Sequence, residues 1–464
     1  QAFLQAGRPD NDLLLYWPVH DAWHRNASAG GSILQRFSVH NAGEWLHGTG
    51  FADSASHMRD NGWSFDYVSD RMLQKLRYSK GALTAGGGEY RGIVIPEIRL
   101  MPVETMRTLL ELADAGATVC FVNGLPADVP GMGRTEQRRG ELDAMVDSLR
   151  FQYNEETGVG EAAAGDGIIL DGRGRIGALL DRTEAIREII PAAGIKFVKR
   201  RTAGGRIYFF TNLGSRDFDG KILISTPARS AVIHDTVNDR RGAAVLQDVD
   251  GGKQVHLQLA PGRSIILETF EEKETAGPMW KYRFECGEPF EIAGRWRVEL
   301  IRGGPKRPED FSSGELVSWT KSGARNADIF SGTALYTIEF EAPEEAAGCE
   351  RPWSWLLDLG DVREAARVRL NGLYLGSAWQ PPFRVDTADS LERGANLLEI
   401  EVTNLPANRI IYMDKRMMPW KKFEEINFVD RNYMPFNAAM WKPAPSGLLG
   451  PVTLVPVQYK EEEL

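Results

Sequence analysis

The chain has 464 residues, which is too many for a single hydrophobic core and predicts roughly two to four domains. Its net charge of -9 argues against a nucleic-acid partner, because neutralising phosphates requires a basic surface. The sequence contains no run of about 18 apolar residues, so it predicts no membrane-spanning helix.

Residues up to about 195 alternate between strand-like and helix-like stretches. The continuous apolar runs LLLYWPV at 13–19 and GIVIPEI at 92–98 are typical of strands that are buried on both faces of a sheet. The stretch 102–116 predicts a helix, because a proline can occupy its first turn and Gly116 can end it. The strand-like run ATVCFVNG follows at once. Strand–helix–strand order with a short connection predicts a parallel sheet.

The pattern changes near residue 195. Several short strand-like runs follow, among them RIYFFTNLG, KILISTP and AVIHDTV, and turn formers such as Gly204-Gly205 separate them. The charged stretch EEKETAGP at 271–278 is a candidate linker. Beyond it, alternating runs such as TALYTIEFEAP and NLLEIEVTN predict further strands, and Asn371-Gly372 between two such runs predicts a two-residue hairpin.

The three cysteines, Cys120, Cys286 and Cys349, are few and far apart. We therefore expect neither a disulfide framework nor a zinc site of the C-x-x-C type, and the redox compartment stays open. Cys120 lies in the apolar run TVCFV, which predicts a buried packing residue. The first residues show no signal peptide, and because the chain starts with Gln1 we expect it to be part of a longer protein.

Three stretches in the first 195 residues, FLQAGRPDNDLLLYWPVHDAWH, FSVHNAGEWLHGTGFAD and WSFDYVSDRML, resemble α-L-rhamnosidases of glycoside hydrolase family 106. The stretch YRGIVIPEIRLMPVETMRTLLELADAGATVCFV is similar to the amidotransferase-like domain that follows the catalytic barrel in several sugar hydrolases. The last domain is similar to the sugar-binding sandwich of glycoside hydrolase family 2, through LDLGDVREAARVRLNGLYLGSAWQPPFRVD, LLEIEVTNLPANRI and PSGLLGPV. NYMPFNAAMWKP at 432–443 departs from the family pattern.

This resemblance implies an exo-acting hydrolase that removes terminal rhamnose with two carboxyl groups, one acting as acid and one as base. In that family both groups lie on a (β/α)8 barrel. The sequence shows no string of eight strand–helix units, so we assign no catalytic residue to it. The chain is therefore expected to be the non-catalytic, C-terminal part of such an enzyme. The alternatives are a carbohydrate-binding or oligomerisation module, or the accessory part of a β-galactosidase-like enzyme or a polysaccharide lyase.

The densest group of polar and aromatic residues lies before residue 71, and aromatic platforms combined with carboxylates and amides are typical of sugar sites. Loops at the carboxyl ends of parallel strands are where such sites form. Interdomain hydrogen bonds and aromatic packing are the alternative explanation. The candidate substrate-binding residues in this part of the chain are His20, Asp21, Trp23, His40, Asn41, Glu44, Trp45 and Asp70.

Other motifs in the sequence are weaker evidence for a functional site. His20 and His24 have helical metal-ligand spacing, but Pro18 and the strand-like run before them make a helix uncertain and no H-E-x-x-H motif exists. GRGRIG at 172–177 matches a dinucleotide fingerprint only formally, and an exposed turn ahead of a helix is favoured. Cys120 lies before the elbow position that an amidotransferase nucleophile needs, so glutaminase chemistry is not expected.

In the last domain, Trp355 lies in an apolar strand and is predicted to be core, whereas Trp379 and Trp420 lie in less regular stretches and are candidate sugar contacts. Bracing of a barrel is the alternative role for this domain.

The predicted fold class is multi-domain, α/β plus all-β. A flavodoxin-like or amidotransferase-like parallel-sheet domain covers 1–195, a small all-β domain covers 196–275, and a galactose-binding-like jelly-roll sandwich covers 276–464. The expected partners are a rhamnose-containing glycan and an upstream catalytic barrel of the same protein, with a homo-oligomer left open. No cofactor is predicted, and calcium is the one metal that the enzyme class leaves open. Localisation is undetermined, although the resemblance favours a periplasmic or secreted parent enzyme.

Overall fold

The computed structural model describes residues 1–28, 42–343, 353–387, 389–422, 429 and 434–461. The chain forms two compact units. The first comprises residues 1–259 and 263–280, and the second comprises residues 260–262 and 281–463. In the described ranges, every helix is too short or too polar to cross a membrane.

The first part of the first unit contains helices and strands in alternation. Its helices are α1 (Ala2–Gln5), α2 (Val19–Ser28), α3 (Ala42–Leu46), α4 (Gly50–Asn61), α5 (Asp70–Leu73), α6 (Val103–Asp114), α7 (Thr135–Ser148) and α8 (Ile176–Leu180). Its strands are β1 (Arg8–Pro9), β2 (Leu13–Tyr16), β3 (Phe65–Val68), β4 (Arg77–Ser79), β5 (Ala82–Ala85), β6 (Gly88–Tyr90), β7 (Gly92–Ile95), β8 (Thr118–Phe121), β9 (Gln152–Tyr153), β10 (Gly160–Ala164) and β11 (Gly167–Asp171).

A seven-stranded sheet in the order β3-β2-β7-β8-β11-β10-β9 organises this part. The first five strands in that order run parallel to their neighbours, and β10 and β9 are antiparallel. All four residues of β2 and of β7 are buried, as expected of strands covered on both faces. The predicted parallel sheet is therefore present.

Helix α6 covers one face of this sheet. Its apolar residues Met106, Leu109 and Leu112 recur at helical spacing and are buried. Pro102 precedes the helix, and Gly116 follows it with a φ of +118°, a conformation that glycine adopts without strain. The helix predicted at 102–116 is thus confirmed, and the observed helix is slightly shorter at both ends.

The second part of the first unit consists of strands, apart from a short 3₁₀ turn at Ile190–Ala193 that precedes them. These strands are β12 (Lys196–Arg201), β13 (Gly205–Thr211), β14 (Phe218–Ile224), β15 (Ser230–Asp235), β16 (Arg240–Ala244), β17 (Gln247–Val249), β18 (Gly252–Leu259) and β19 (Ser264–Phe270). They form sheets of order β1-β12-β13-β19-β15-β16 and β14-β18-β17.

Strand β1 joins the two parts of the first unit, because it pairs with β12 although it precedes the parallel sheet in sequence. The two predicted domains 1–195 and 196–275 lie within this one unit, and their separation stays a prediction. Cys120 is a free, fully buried thiol, as predicted, whereas Cys286 of the second unit is disulfide-bonded. The latter was not expected from the wide spacing of the cysteines.

The second unit is built mainly of strands. They are β20 (Lys281–Glu285), β21 (Phe290–Glu291), β22 (Trp296–Gly304), β23 (Phe311–Ser313), β24 (Ser331–Ala342), β25 (Ser354–Asp358), β26 (Asp361–Arg363), β27 (Ala365–Leu370), β28 (Leu373–Ala378), β29 (Arg384–Asp386), β30 (Gly394–Thr403), β31 (Gly447–Gly450) and β32 (Thr453–Glu461). Helix α9 (Ala407–Lys415) and a short 3₁₀ turn at Trp319–Lys321 interrupt them.

Two sheets dominate the second unit, with orders β23-β22-β24-β30-β27-β28 and β20-β32-β25-β29. Both contribute to one hydrophobic core, which includes Trp296 and Ile400 from the first and Trp355 and Leu454 from the second. The core position predicted for Trp355 is confirmed. The predicted hairpin is also confirmed, since Asn371 and Gly372 link β27 to β28 with φ angles of 51° and 79°.

Candidate functional site

The candidate site lies at the carboxyl edge of the parallel sheet. Strand β2 pairs in parallel with both β3 and β7, so the segments that follow the three strands meet at this edge. Helix α2 follows β2 after Trp17 and Pro18, α5 follows β3, and α6 follows β7.

The carboxylate of Asp70, the first residue of α5, is the centre of this site. The hydroxyl of Tyr16 donates a 2.8 Å hydrogen bond to its Oδ1 atom, and the hydroxyl of Thr105 on α6 donates a 2.5 Å bond to the same atom. Nε2 of His20 on α2 lies 3.5 Å from Oδ2. Strand β3 thus leads to the carboxylate, β2 and the helix after it supply Tyr16 and His20, and the helix after β7 supplies Thr105.

Burial and hydrogen bonding act in opposite directions on Asp70. Partial burial is the largest single influence and raises the pKa, but the interactions with His20, Thr105 and Tyr16 together hold the pKa of Asp70 below its ordinary value. Burial, followed by the negative charge of Asp70, raises the pKa of Tyr16 far above its ordinary value. Asp70 is therefore a stable anion and Tyr16 a permanent donor, an arrangement that suits positioning rather than proton transfer at neutral pH.

His20, which is partly buried, and Trp23, which is exposed, form the outer rim of the cluster. Their rings meet edge to face with centroids 5.8 Å apart, and 52% of Trp23 is exposed. An exposed indole beside an imidazole and a carboxylate combines an apolar face with hydrogen-bonding groups, which is what one face and one edge of a pyranose require. The structure brings together His20, Trp23 and Asp70 of the predicted residues.

Asp21 has a different surrounding. Its two carboxylate oxygens accept the backbone N–H groups of Arg99 and Leu100, at 3.0 and 2.9 Å, in the loop between β7 and α6. These bonds fix that loop against α2. The predicted sugar contact of Asp21 stays a prediction, and bracing the loop is the role that its geometry supplies.

Trp45 packs into an aromatic group beside the site. Its ring meets Trp17 edge to face at 5.7 Å, and Trp17 meets Phe51 of α4 in the same manner at 4.8 Å. This packing holds α3 and α4 against the segment that follows β2, and the predicted sugar contact of Trp45 stays a prediction. His40 and Asn41 lie outside the described residues. Glu44 belongs to α3, but its side chain also lies outside the described part.

Trp379 and Trp420 belong to the second unit. Trp379 follows β28 and is 59% exposed. The indole N–H of Trp420 donates a 2.7 Å hydrogen bond to Asp414, and its ring meets Phe436 edge to face at 6.3 Å. Trp420 is thus held in place by polar and aromatic contacts, whereas Trp379 presents more of its surface to solvent.

Two further features at the carboxyl edge were not predicted from the sequence. Thr105 is a buried hydroxyl on the apolar face of α6, and this departure from the apolar pattern was the only available signal. Glu97 and Asn123 follow β7 and β8, and the amide of Asn123 donates a 3.0 Å hydrogen bond to Glu97. Both are exposed, so they add a second polar pair to the same edge.

The histidines give no metal centre in the part of the chain that is described, where no three His, Cys, Asp or Glu side chains are grouped to hold an ion. His20 and His24 do lie on one helix, α2, which begins directly after Pro18. The caution that Pro18 raised against this helix was wrong, because proline is well tolerated at a helix start.

Comparison with known proteins agrees with a sugar-hydrolase origin. The segment 42–225 matches the family model of α-L-rhamnosidases, glycoside hydrolase family 106. The resemblance of this chain to family 106 rhamnosidases is thereby confirmed.

Two relatives extend the comparison. A rhamnosidase structure from Novosphingobium sp. PP1Y aligns with 98% of this chain at a TM-score of 0.64 and 21% identity, which shows a shared fold. A protein of Formosa agariphila that is named as a candidate β-glucuronidase is 33% identical over 141 residues, or 29% of this chain. The chain spans 39% of the length of the rhamnosidase and 11% of the length of the Formosa agariphila protein.

Proposed function

We propose that this chain is the accessory, non-catalytic part of a glycoside hydrolase that releases terminal α-L-rhamnose from a polysaccharide or glycoside. The observation that carries the proposal is the family 106 match over 42–225, which includes Asp70 and Thr105 of the candidate site. This chain covers only 39% of the length of the rhamnosidase structure, which supports a catalytic barrel that lies outside this chain. The described sheet with five parallel strands supports the same division, since a barrel of this class needs eight.

In this proposal the Asp70 cluster positions His20 and Trp23 at the edge of a sugar pocket. The ionised carboxylate holds His20 from one side, and Trp23 fixes the ring from the other. His20 then offers its remaining nitrogen to a sugar hydroxyl, and the indole of Trp23 covers the C–H face of the sugar. Asp70 is a positioning residue here, while His20 and Trp23 contact the sugar.

The test is made in the longer protein that contains this chain. His20→Ala and Trp23→Ala are expected to raise KM for an α-L-rhamnoside about tenfold with a smaller change in kcat, because each loses ground-state contacts of roughly 1–2 kcal/mol. Lys75→Ala, at an exposed position of the same unit, is the matched control. Unchanged KM in both site variants would contradict the proposal.

A second candidate function is a carbohydrate-binding or oligomerisation module without any role in hydrolysis. The 59% exposure of Trp379 favours it, since exposed indoles serve as sugar platforms. Affinity electrophoresis in a rhamnose-rich polysaccharide, with Trp379→Ala and light scattering in parallel, separates the two functions. Retardation that depends on Trp379 but not on Trp23 would favour the second.

The finer fold assignments belong to the same proposal. The parallel order β3-β2-β7-β8-β11 with flanking helices supports an amidotransferase-like or flavodoxin-like sheet, and the shared core of two antiparallel sheets supports a galactose-binding-like jelly roll. Tracing the connections of each sheet in an experimental structure tests both.

We also infer an oxidising compartment for the parent enzyme, because Cys286 is disulfide-bonded and such bonds persist outside the reducing cytosol. Alkylation of the denatured, unreduced protein is expected to label the peptide of Cys120 and to leave that of Cys286 unlabelled. Labelling of both would contradict this compartment.

A further inference from the structure

A cavity lies at the amino edge of the parallel sheet, opposite the edge that carries Asp70. Its volume is about 250 Å³. The lining residues Asp12 and Arg91 directly precede β2 and β7, and parallel strands begin at the same edge of their sheet. The other walls come from β1 and from the strands β12 and β13, so the cavity lies entirely within the first unit.

Two arginines of the wall are each paired with carboxylates. Arg206 is only 5% exposed and donates to Asp10 at 2.8 Å and to Glu271 at 2.5 Å. Arg8 donates to Glu89 at 2.9 Å. A free anion or cation entering the cavity would therefore find these opposite charges already paired.

A buried lysine lies behind the wall of the cavity and contacts carboxylates that line it. The ammonium of Lys199 is 1% exposed and lies 3.7 Å from Asp10, 3.6 Å from Asp12 and 3.9 Å from Glu188. Glu188 in turn accepts a 2.8 Å hydrogen bond from Tyr208. Because these contacts hold the lining carboxylates in place before any ligand arrives, the cavity is preorganised.

Some groups in the lining of the cavity remain available to form hydrogen bonds with a ligand. Glu184 makes no side-chain hydrogen bond or ion pair within the chain as described. Arg91 uses one guanidinium nitrogen on the carbonyl of Gly81. Pro9 and Ile186 add apolar surface to the same lining. The combination of donors, acceptors and small apolar faces with balanced charge fits a neutral molecule that carries several hydroxyls.

The volume of the cavity limits the size of the ligand that it can hold. Pockets for drug-sized ligands measure roughly 300–1,000 Å³, and this cavity lies just below that range. We propose that the cavity binds one neutral sugar ring or a polyol of that size, as a site separate from the His20–Asp70 cluster. This site does not depend on the function proposed above, since its lining and its edge of the sheet are different.

The test uses the 464-residue chain and small probes of defined charge. L-rhamnose and D-galactose are the neutral probes, and D-glucuronate and inorganic phosphate are the charged ones, titrated by saturation-transfer NMR. We expect a neutral sugar to bind with a Kd on the order of 1 mM, as its few heavy atoms allow. Glu184→Ala should weaken binding about tenfold through the loss of charged hydrogen bonds, and Ile186→Trp should abolish it by filling the cavity.

Two further variants decide between sites. Glu155→Ala, an exposed position remote in sequence from the lining, should bind as the unmodified chain does. The same titrations in a Trp23→Ala background remove any sugar bound at the opposite edge, and Glu184→Ala should still weaken binding about tenfold there. The proposal is overturned if no neutral sugar binds, if the charged probes bind more tightly, or if Glu184→Ala binds normally. Complete absence of binding in the Trp23→Ala background would assign the sugar to the other edge and would overturn it as well.

Discussion

Tyr16 and Asp70 are 54 residues apart in the chain, and the hydroxyl of Tyr16 donates a 2.8 Å hydrogen bond to the carboxylate of Asp70. The parallel pairing of β2 with β3 creates this contact, because it brings the ends of both strands to one edge. The bond makes Asp70 a fixed anion around which His20 and Thr105 are arranged. The candidate sugar site depends on this arrangement.

Asp70→Asn is expected to lower the free energy of unfolding at pH 7 by about 1–3 kcal/mol, since the amide replaces a charged acceptor of buried donors. The native pKa of Asp70 is depressed, so its stabilisation is fully present above the unfolded pKa and is lost as pH falls through the native pKa. The difference between variant and unmodified chain should therefore shrink below about pH 4. Urea unfolding at several pH values measures it, with exposed Asp143→Asn as control. A pH-independent difference would contradict this explanation.

Lys199→Met is expected to destabilise the first unit by about 3–5 kcal/mol at pH 7, because it leaves buried carboxylates without their cation. Burial already raises the pKa of Asp12, and Lys199 opposes that rise. The cost should shrink on acidification, as protonation of Asp12 removes the uncompensated charge. Thermal unfolding measured at pH 7 and at successively lower pH checks both statements. Exposed Lys75→Met should change little, and a similarly small effect of Lys199→Met would rule out the network.

Tyr336→Phe is expected to weaken the second unit by about 2–4 kcal/mol, because two buried donors lose their acceptor. The indole N–H of Trp319 donates to the Tyr336 hydroxyl at 2.6 Å, and the backbone N–H of Leu448 donates to it at 3.1 Å. Hydrogen exchange at Leu448 should accelerate with the loss of stability. Tyr374→Phe, on an exposed hairpin, serves as the control and should stay within about 0.5 kcal/mol.

Trp23→Ala and Trp45→Ala should differ although both remove an indole. Trp45 packs on Trp17, so its loss is expected to cost about 2–3 kcal/mol of stability, less than a fully buried tryptophan. Trp23 is mostly exposed, and its loss should leave stability within about 0.5 kcal/mol. Denaturant unfolding of both variants is the measurement. Equal losses of stability would show that Trp23 is a packing residue.

Strands and helices with strong local signals were predictable from sequence. The apolar runs that became β2, β7 and β8 are buried on both faces, and α6 carries its helical periodicity and a closing glycine. Asn371-Gly372 predicted a hairpin, because few other residue pairs adopt two successive positive φ angles.

Other features depend on contacts between distant residues, which a sequence pattern does not contain. Strand β3 ends at Val68, and Asp70 starts a helix whose position is fixed by hydrogen bonds from Tyr16 and Thr105. Likewise, Asp21 accepts hydrogen bonds from the backbone amides of Arg99 and Leu100, and this contact follows from the order of the strands in the sheet. The sequence predicted candidate residues after the parallel strands, and the structure brings His20, Trp23 and Asp70 together at that edge. Their contact with a ligand stays a prediction, because a sequence pattern does not separate ligand-facing groups from bracing ones.

Hydrolysis of an α-L-rhamnoside by the 464-residue chain alone, measured beside the longer protein that contains it, tests whether this chain is non-catalytic. The isolated, folded chain is expected to release rhamnose no faster than buffer does, while the longer protein turns the substrate over. Release above the buffer rate by the isolated chain, abolished by substitution of carboxylates within it, would show that the chain is catalytic.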